Sequence, residues 1–570
     1  MSAKKQQIKW SWIGLWSTII MLLLIRLWYI SEKSTEDFKV TTWDSFGYYM
    51  YLPGLFIYGD LDRLSWVEEI DKTYELTGGK FYQAAVLPEG RRTGKYLTGV
   101  SIMQLPFFLM AHGYAILSHQ FPADGFSYPY QLAIAWAPLI YTILSLFLFR
   151  LVLRRYFNES ITAIVMLASL LATNAAQYIS VEGGQSHGYI FPLYVLMLYL
   201  SMRWHEKPSA RWAMIGGLVF GLAMISRPTE FIMLFIPILW NTHSRIAAKE
   251  KWALVREHRL HLLYAAVAAF LIVLPQLIYW KYSTGAWVYD VGSKWYFLNP
   301  WFRVLVGWTK GWFIYTPITI AFVAGLFFLR RFPFKNSVLA FCLLNIWIVI
   351  SWSDWRYGGS YSARALVQSY PVMGLAIGAL LTHIQADLWK KMTYGVLGFL
   401  LCINLFQIWQ YNKNILHFND MNRKYYQAIF LNPSPNSLDM SLLDTDEMPS
   451  SLARIQKTSC TDVLFRRRIE VPDSVLWIRV QSQISVSHSF WNGKIEACLI
   501  HPNGDSILKE RAFRLAHPLA KDGALNEYDF FIKVPKQKGP MELILKLSGE
   551  QPFLENGWEA KGTVCFQKEK

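Results

Sequence analysis

The chain has 570 residues, of which 53% are hydrophobic, 16% aromatic and only 17% charged. Soluble domains carry about 25% charged residues, so this composition excludes an ordinary soluble enzyme, a disordered chain and a disulfide scaffold. The formal net charge is +16. The lysines and arginines stand in small groups at the ends of long apolar runs, which is typical of the loops of a polytopic membrane protein and not of a nucleic-acid-binding surface.

The first apolar run, residues 11–30, follows Lys4, Lys5 and Lys9. It is longer than a signal-peptide core and no small-residue cleavage site follows it, so we interpret it as a retained anchor whose N-terminus is inside. A full crossing takes about 20 residues. Ten further apolar runs are predicted to cross, and the short ones are expected to tilt or break: residues 129–149, 160–180, 187–202, 212–226, 229–240, 260–280, 312–329, 336–352, 365–381 and 392–409.

The positions of the basic residues favour eleven crossings. Each predicted inside segment then carries between two and five lysines and arginines, as the positive-inside rule requires. Residues 100–117 are also apolar, but counting them as a crossing would place Arg150, Arg154 and Arg155 outside. We therefore predict an interfacial or re-entrant helix there, within a large first outer loop of residues 31–128.

With eleven crossings, the transmembrane domain is residues 1–409 and the remaining chain lies outside. Residues 410–455 are predicted to form a polar linker with one short helix near 420–431. Residues 456–570 are predicted to form a small all-β sandwich, because short alternating runs are separated by turn residues: 476–484, 494–500, 528–534, 541–547 and 562–567. Cys460, Cys498 and Cys565 lie in this tail, so one disulfide with one cysteine left over is expected, and the pairing stays open.

Several common catalytic motifs are absent from the sequence. It contains no Gly-rich Lys-Ser/Thr loop, no Rossmann fingerprint, no His/Cys cluster at zinc spacing and no Gly-x-Ser-x-Gly elbow. This disfavours an ATP-driven pump and a nucleotide-sugar enzyme. No motif requires a cofactor, and a divalent cation remains an open option.

An acidic residue stands near the start of the first outer loop. Residues 41–49 read Thr-Thr-Trp-Asp-Ser-Phe-Gly-Tyr-Tyr, so that Asp44 precedes an aromatic stretch. A carboxylate that is partly desolvated at the membrane surface gains basicity and is suited to take a proton from an acceptor hydroxyl. The alternative interpretation is that Asp44 caps the N-terminus of a helix, a position at which Asp is a favoured residue.

The order of these features resembles the GT-C superfamily of integral-membrane glycosyltransferases, which use polyprenyl-phosphate sugars and include protein O-mannosyltransferases and aminoarabinose transferases. The shared features are one N-terminal span, a large outer loop with the early Asp44, the segment 95–99 (Lys-Tyr-Leu-Thr-Gly) leading to 105–108 (Leu-Pro-Phe-Phe), many helices and an outer C-terminal domain. The resemblance covers most of residues 10–410. It implies that Asp44 is the catalytic base, that the donor is a polyprenyl-phosphate sugar and that the acceptor is a lipid, glycan or protein.

The resemblance also implies a second acid in the next outer loop, where this chain departs from the pattern. Residues 181–188 read Val-Glu-Gly-Gly-Gln-Ser-His-Gly, so Ser186 or His187 stands at the expected position and Glu182 lies a turn upstream. We expect His187 to bind phosphate or orient the acceptor, and Glu182 to assist it or help to hold a divalent cation. The alternative for His187 is a helix-terminus residue bonded to backbone.

Basic residues on the predicted outer side are candidates for holding a lipid phosphate. Residues 352–364 resemble the Trp/Gly-rich stretch ending in Arg that many GT-C proteins carry before a late helix. Guanidinium groups donate two parallel hydrogen bonds to phosphate and can stabilise its departing charge. The alternative interpretation of Arg227 is a residue that simply precedes a helix start at Pro228. For each of the cations, the alternative is a side chain that extends to the lipid headgroups. The candidates for phosphate or substrate binding are Lys95, Arg227, Lys310, Arg356, Tyr361 and Arg364, and Trp43, Tyr48, Trp295 and Trp355 are candidates for stacking on sugar faces.

The sequence thus predicts a polytopic α-helical glycosyltransferase of the cytoplasmic membrane, with membrane lipids and a lipid-linked sugar as its partners. A transporter or flippase of a lipid-linked glycan is the alternative, although no internal hydropathy repeat is evident. In a third interpretation the β-domain works and the helices only anchor it, but eleven crossings exceed what an anchor requires.

Overall fold

The computed structural model describes residues 9–449, 451–452, 455–462, 465, 467–486, 493–502, 506–517, 520–521, 524–536, 540–549 and 558–569. Lys4 and Lys5, which helped to place the N-terminus inside, lie outside the described residues. The chain divides into two units, Met1–Leu405 and Phe406–Lys570, and each is described by itself.

The first unit is helical apart from a two-stranded antiparallel ribbon in its first long loop. The ribbon is β1 (Ala84–Val86) and β2 (Arg92–Gly94). The helices are, in chain order, α1 (Trp10–Ser31), α2 (Asp44–Tyr49), α3 (Tyr51–Phe56), α4 (Val67–Tyr74), α5 (Gly99–Ser118), α6 (Tyr128–Tyr156), α7 (Glu159–Leu171), α8 (Ala175–Ser180), α9 (Ser186–Glu206), α10 (Ala210–Ser226), α11 (Phe235–Leu239), α12 (Arg245–Glu257), α13 (Arg259–Thr284), α14 (Arg303–Val306), α15 (Trp312–Tyr315), α16 (Thr319–Gly325), α17 (Lys335–Ser351), α18 (Tyr370–His383) and α19 (Asp387–Asn412), the last of which continues into the second unit. Short 3₁₀ helices add Pro88–Gly90, Pro228–Leu234, Leu326–Arg331 and Arg364–Ser369.

Within the described residues, six helical segments are long and apolar enough to cross a membrane, namely α1, α5, α6, α13, Arg364–His383 and α19. The helix α5, expected as an interfacial or re-entrant helix, is among them. Several predicted crossings are helical but interrupted. Residues 160–180 are divided into α7 and α8, residues 229–240 into a 3₁₀ helix and α11, and residues 312–329 into α15, α16 and a 3₁₀ helix. The predicted multi-helix membrane protein is therefore confirmed, and the count of eleven crossings remains a prediction.

A buried arginine supports the turn between α8 and α9. Arg26 lies in α1, is fully buried and donates to the carbonyls of Ala135 at 2.7 Å and Val181 at 3.2 Å. Val181 follows the end of α8, where carbonyl groups lose their helical partners. The guanidinium satisfies these carbonyls in a region that water does not reach, so the chain can turn there before α9 begins.

The second unit is a β-sandwich that carries two short helices. Its elements are α20 (Arg423–Ile429), α21 (Ser437–Ser441), β3 (Ile455–Asp462), β4 (Arg468–Val471), β5 (Trp477–Val486), β6 (Lys494–Ile500), β7 (Ile507–Arg514), β8 (Asn526–Lys533), β9 (Met541–Ser548) and β10 (Trp558–Glu569). Two antiparallel sheets, with strand orders β3-β10-β5-β8 and β4-β9-β6-β7, share one hydrophobic core. The predicted C-terminal β-region is confirmed.

Two features of this unit were open or unexpected from the sequence. Cys460 and Cys565, which are opposite each other on β3 and β10, form a disulfide, and Cys498 is free and buried. The segment predicted as a linker packs on the sandwich, where Glu447 accepts a hydrogen bond from Lys509 at 2.7 Å and Asp444 one from Arg514 at 2.7 Å. Segment and sandwich therefore form one unit.

Candidate active site

A cavity of about 480 Å³ in the first unit brings together residues from distant parts of the chain. It is lined by the start of α2, the segment after β2, the starts of α9 and of the 3₁₀ helix Pro228–Leu234, part of α17, and the 3₁₀ helix Arg364–Ser369. Its wall includes residues that were singled out from the sequence for proton transfer or phosphate binding, namely Asp44, Lys95, His187, Arg227 and Arg364, and two that were singled out for stacking on sugars, Tyr48 and Trp295. The carboxylates of Asp44 and Asp354 thus share a cavity wall with three cations and a histidine.

Asp44 is held by three side chains. The hydroxyls of Tyr82 and Tyr96 donate to its Oδ1 at 2.7 and 2.6 Å, and the guanidinium of Arg364 pairs with its Oδ2. The Asp44 side chain is 23% exposed and that of Arg364 is 8% exposed, so the pair is poorly screened by water.

These contacts decide the protonation state of Asp44. Burial works to raise the pKa of its carboxyl, but the charge of Arg364 and the hydrogen bonds from Tyr96 and Tyr82 outweigh burial and lower the pKa to about 2. The same carboxylate, together with burial, raises the pKa of Tyr82 and Tyr96 above its ordinary value, so both remain hydrogen-bond donors. Asp44 is therefore an ionised carboxylate neutralised by Arg364.

The backbone around Asp44 explains how these groups meet. Trp43, the N-cap of α2, has a φ of 51°, a conformation that bulky residues rarely adopt, and it turns the chain into α2. Gly47 lies one turn later, and a Cβ atom there would overlap the ring of Tyr96. The missing side chain lets Tyr96 reach across α2 to Asp44. Asp44 is itself the first residue of α2, so the N-cap interpretation does not describe its position.

His187 belongs to a chain of polar side chains beneath the cavity. Its Nδ1 lies 3.0 Å from Oε1 of Gln368, whose Nε2 donates to Glu230 at 2.9 Å. Glu230 is buried and also accepts a hydrogen bond from Tyr194 at 2.5 Å. Gln368 gives its N–H to Glu230 and turns its oxygen toward Nδ1, while Arg227 brings a donor to the same nitrogen, so the tautomer of the imidazole decides which of the two bonds forms. The side chain of His187 is thus bonded to a side chain, not to backbone.

Arg227 lies against the same imidazole. Its Nη1 is 3.2 Å from Nδ1 and 3.5 Å from Nε2 of His187. The residue follows α10 and is half-buried, so its guanidinium faces the cavity while its stem packs inside. Arg227 and His187 form the second polar part of the wall.

The other residues predicted to bind phosphate or substrate lie outside the cavity wall. Lys310 is buried and donates to the carbonyls of Arg356, at 2.8 Å, and Gly358, while burial lowers its pKa to about 7. Arg356 is exposed and lies over the ring of Trp355. Lys310 therefore holds the backbone of the segment that leads to the cavity.

Tyr361 and Glu182 are also behind the wall. Tyr361 is buried and donates its hydroxyl to the carbonyl of Tyr315 at 2.9 Å. Glu182 accepts a hydrogen bond from Gln177 at 3.2 Å, and burial raises the pKa of its carboxyl. Glu182 and Tyr361 thus contact neighbouring protein groups beside the cavity.

Four contributors to the site were not assigned a role from the sequence: Tyr82, Tyr96, Glu230 and Gln368. Tyr96 stands inside the segment 95–99 that supports the resemblance, so a signal was available for it. Tyr82 precedes β1 in a segment without periodicity, and Glu230 and Gln368 lie in separate 3₁₀ helices whose proximity no pattern indicates.

The cavity wall offers little to a metal ion in this conformation. Both carboxylate oxygens of Asp44 are already engaged by hydroxyl or guanidinium groups. Among the residues that the structure describes, no three or more His, Cys, Asp or Glu side chains lie together as a metal site would need.

Comparison with known families supplies an independent observation. Residues 129–280 match the family of dolichyl-phosphate-mannose-protein mannosyltransferases. The match includes α9 and α10, which provide His187 and lead to Arg227. The predicted resemblance to lipid-linked-sugar glycosyltransferases, and with it the enzyme class, is confirmed over this part of the chain.

Solved structures show partial similarity. ArnT from Cupriavidus metallidurans bound to undecaprenyl phosphate has a TM-score of 0.44 and 14% identity, over 74% of this chain and 68% of that one. The Archaeoglobus fulgidus oligosaccharyltransferase in its apo form has a TM-score of 0.43 and 11% identity, over 75% and 59% of the two chains. The oligosaccharyltransferase AglB from Archaeoglobus fulgidus in complex with an inhibitory peptide and a dolichol-phosphate has a TM-score of 0.40 and 12% identity, over 75% and 58%. This chain therefore spans less than two thirds of the oligosaccharyltransferase. No curated protein matches the chain.

Proposed function

We propose that the protein is a membrane glycosyltransferase that moves a sugar from a polyprenyl-phosphate carrier to an acceptor hydroxyl at the outer face of the cytoplasmic membrane. One observation carries this proposal: Asp44 lies in the wall of the same cavity as Lys95, Arg227 and Arg364. A base beside several phosphate-binding cations is what transfer from a lipid phosphate requires. The family match over residues 129–280 supports the donor class, because dolichyl phosphate mannose is a polyprenyl-phosphate sugar.

The reaction is a displacement at the anomeric carbon of the sugar. Asp44 accepts the proton of the acceptor hydroxyl, and the hydroxyl oxygen forms a bond to the anomeric carbon. The bond between that carbon and the phosphate oxygen breaks, and polyprenyl phosphate leaves with the electron pair. Arg364, Arg227 and Lys95 stabilise the departing negative charge, which is where electrostatic help lowers the barrier most.

The ion pair of Asp44 imposes an order on these events. A carboxylate whose pKa is about 2 is a weak base, because Arg364 stabilises its charged form. A donor phosphate competes with Asp44 for Arg364. When the guanidinium turns to the phosphate, Asp44 loses its partner and becomes more basic. Binding of the donor therefore activates the base, and an empty site keeps it inactive.

The remaining predicted residues receive supporting roles in this proposal. His187 and Arg227 bind the phosphate or orient the acceptor from the opposite part of the wall. Lys310 fixes the backbone of residues 356–358 and thereby the approach to Arg364. In this proposal Glu182 assists His187 and does not contact the substrate.

Two observations support placement of the reaction at the outer face. The positive-inside distribution puts the start of α9 and the end of α10 outside. Independently, the disulfide between Cys460 and Cys565 suits an oxidising compartment, so the sandwich is expected outside as well.

The test uses the full chain in lipid nanodiscs with polyprenyl-phosphate mannose as the probe and a cell-envelope extract as the source of acceptors. Release of polyprenyl phosphate is measured for the wild type, Asp44→Asn and Asp354→Asn. Asp354 lines the same cavity, and the described residues give it no ion-pair partner, so its variant removes the same charge without touching the base.

We expect Asp44→Asn to abolish release and Asp354→Asn to retain most of it. Equal losses in the two variants would show that the cavity needs negative charge and no specific base. Wild-type rates in Asp44→Asn would remove Asp44 from the reaction. If the wild type itself releases no polyprenyl phosphate but moves the intact lipid-linked sugar between leaflets, the protein is a flippase.

A further inference from the structure

A second cavity, of about 520 Å³, lies in the first unit among α9 to α13. Its wall is mainly apolar, with Leu200, Trp212, Phe220, Val255 and Leu262 among the lining residues. Two glycines of α10, Gly217 and Gly221, sit against the backbone of α13, so the two helices approach closely below the cavity. The space is a slot between helices with a few polar groups at one end.

The second cavity lies at the opposite end of α9 and α10 from the candidate active site. His187 begins α9 in the active-site wall, whereas His205 near the end of α9 lines the second cavity. The helical rise of about 1.5 Å per residue separates these two positions by roughly 27 Å, close to the ~30 Å of a bilayer core. The two cavities are therefore expected near opposite membrane faces.

An amphipathic helix covers this end of the slot. The helix α12 carries Lys251 and Trp252 in the cavity wall and exposes apolar side chains such as Ile246, which is 72% exposed. A short helix with basic residues and exposed apolar side chains typically lies in the membrane interface. The polar end of the cavity is thus expected at the depth of lipid headgroups.

The polar side chains at this end are basic, and none of those described below is acidic. Lys251 is buried and donates to the carbonyls of Pro237, at 2.7 Å, and Ile238, so its ammonium keeps a third N–H. His205 donates from Nδ1 to the carbonyl of Ser201 at 2.7 Å, and its Nε2 is buried without a hydrogen-bond partner in the part of the chain that the structure describes. Burial lowers the pKa of His205 to about 4, so this Nε2 is an acceptor in the empty cavity, and it becomes a donor when a bound anion stabilises the imidazolium form.

The charge around the cavity favours the same kind of ligand. Residues 203–211 and 241–259 contain eight lysines and arginines but three acidic residues. One of the acids, Glu206, is already paired with Arg155 and Arg203. Basic segments of this kind attract the anionic lipids of the cytoplasmic leaflet.

We propose that the second cavity binds an anionic phospholipid, with an acyl chain in the apolar slot and the phosphate at Lys251 and His205. A phospholipid fits better than a soluble anion because most of the wall is apolar. The site is separate from the proposed transfer reaction and does not depend on it.

Gly216 allows a test that fills the cavity without disturbing the helix. It lines the slot in α10, and a Cβ atom there meets open space. Leucine is also a better helix former than glycine. Gly398 of α19 is the matched control, since it too is a helical glycine whose Cβ meets open space, and it lies outside this cavity. The variants are Gly216→Leu, Gly398→Leu and His205→Gln.

The measurement is native mass spectrometry of the full chain after exchange into phosphatidylglycerol, phosphatidylcholine or polyprenyl phosphate. We expect the wild type and Gly398→Leu to retain more phosphatidylglycerol than phosphatidylcholine. Gly216→Leu should retain roughly tenfold less phosphatidylglycerol than the wild type. His205→Gln should bind the two phospholipids without a preference for the anionic one. Retention of polyprenyl phosphate by Gly216→Leu shows that the first cavity is intact.

Three results would overturn the proposal. Equal retention of the two phospholipids by the wild type would mean that the slot does not recognise a headgroup. Unchanged phosphatidylglycerol retention in both Gly216→Leu and His205→Gln would place the lipid elsewhere. If the wild type retained polyprenyl phosphate but neither phospholipid, and Gly216→Leu lost that retention, the slot would be assigned to the carrier lipid.

Discussion

Replacing Asp44 with Asn should abolish sugar transfer and, at the same time, tighten binding of the product polyprenyl phosphate. In the resting site Arg364 is paired with the Asp44 carboxylate, and a phosphate must displace that carboxylate to use the guanidinium. Asparagine keeps an oxygen that Tyr82 and Tyr96 can contact but carries no charge. The competition for Arg364 is therefore removed in the variant.

The structure sets the scale of this effect. The pKa of Asp44 falls from an ordinary 3.8 to about 2 against the opposing effect of burial. A shift of that size corresponds to about 2.5 kcal/mol of preference for the ionised, paired form. If phosphate binding breaks the ion pair between Asp44 and Arg364 completely, Asp44→Asn should bind polyprenyl phosphate up to roughly fiftyfold more tightly than the wild type. If the ion pair is only partly broken, the gain in affinity should be about tenfold.

The assay is a titration of the full chain in nanodiscs with polyprenyl phosphate, comparing wild type, Asp44→Asn and Asp354→Asn. In the resting site the lowered pKa keeps Asp44 ionised above about pH 4, whereas loss of its partner raises its pKa in the phosphate-bound site. Wild type then takes up a proton on binding, so the advantage of Asp44→Asn should be largest near pH 8 and shrink as the pH falls. Asp354→Asn should show the smaller gain expected from general charge alone. Unchanged or weaker binding in Asp44→Asn would refute the competition between carboxylate and phosphate.

Three further predictions test the groups that shape the molecule. Gly47→Ala should displace Tyr96 from the Asp44 carboxylate and, if Asp44 is the proposed base, lower the transfer rate by roughly a hundredfold in the release assay, with the protein still folded. Arg26→Leu leaves buried carbonyls unsatisfied and should destabilise the helical unit by about 2 kcal/mol or more, measured as a lower melting temperature in detergent, whereas Arg26→Lys should recover part of the loss. The double variant Cys460→Ser/Cys565→Ser should destabilise the sandwich by about 2–5 kcal/mol in a urea titration of the full chain, and identical curves would argue against the disulfide.

The sequence located the cavity residues but not their contacts. Asp44 and Arg364 were both singled out, since each stands beside an apolar run where a membrane protein places functional groups. Their contact joins positions 320 residues apart, and no local pattern encodes such a pairing. The chain of Glu230, Gln368 and His187 escaped notice for the same reason. Its members lie on three different helices, and a buried glutamine between two polar groups has no sequence signature.

Helix boundaries were predicted where apolar periodicity was continuous and missed where buried polar groups break the chain. Residues 160–180 read as one apolar run, yet the helix is interrupted before Ala175 and ends at Ser180, where Arg26 from α1 supports the following turn. In the sandwich, β5, β6, β8, β9 and β10 alternate clearly and were predicted. The edge strands β3, β4 and β7 were not predicted, and in β3 most residues are exposed and show no alternation.

Position 187 is a histidine where the resemblance implies an acid, and this difference changes the charge of the cavity wall. A histidine that is linked through Gln368 to Glu230 adds no negative charge to the wall. A second carboxylate at this position would pair with Arg227, as Asp44 pairs with Arg364, and would oppose a donor phosphate. With His187 instead, Arg227 has no carboxylate partner in the described wall and is available before the donor arrives. We therefore expect the phosphate to engage Arg227 first and Arg364 second, so that release of Asp44 is the last step before transfer.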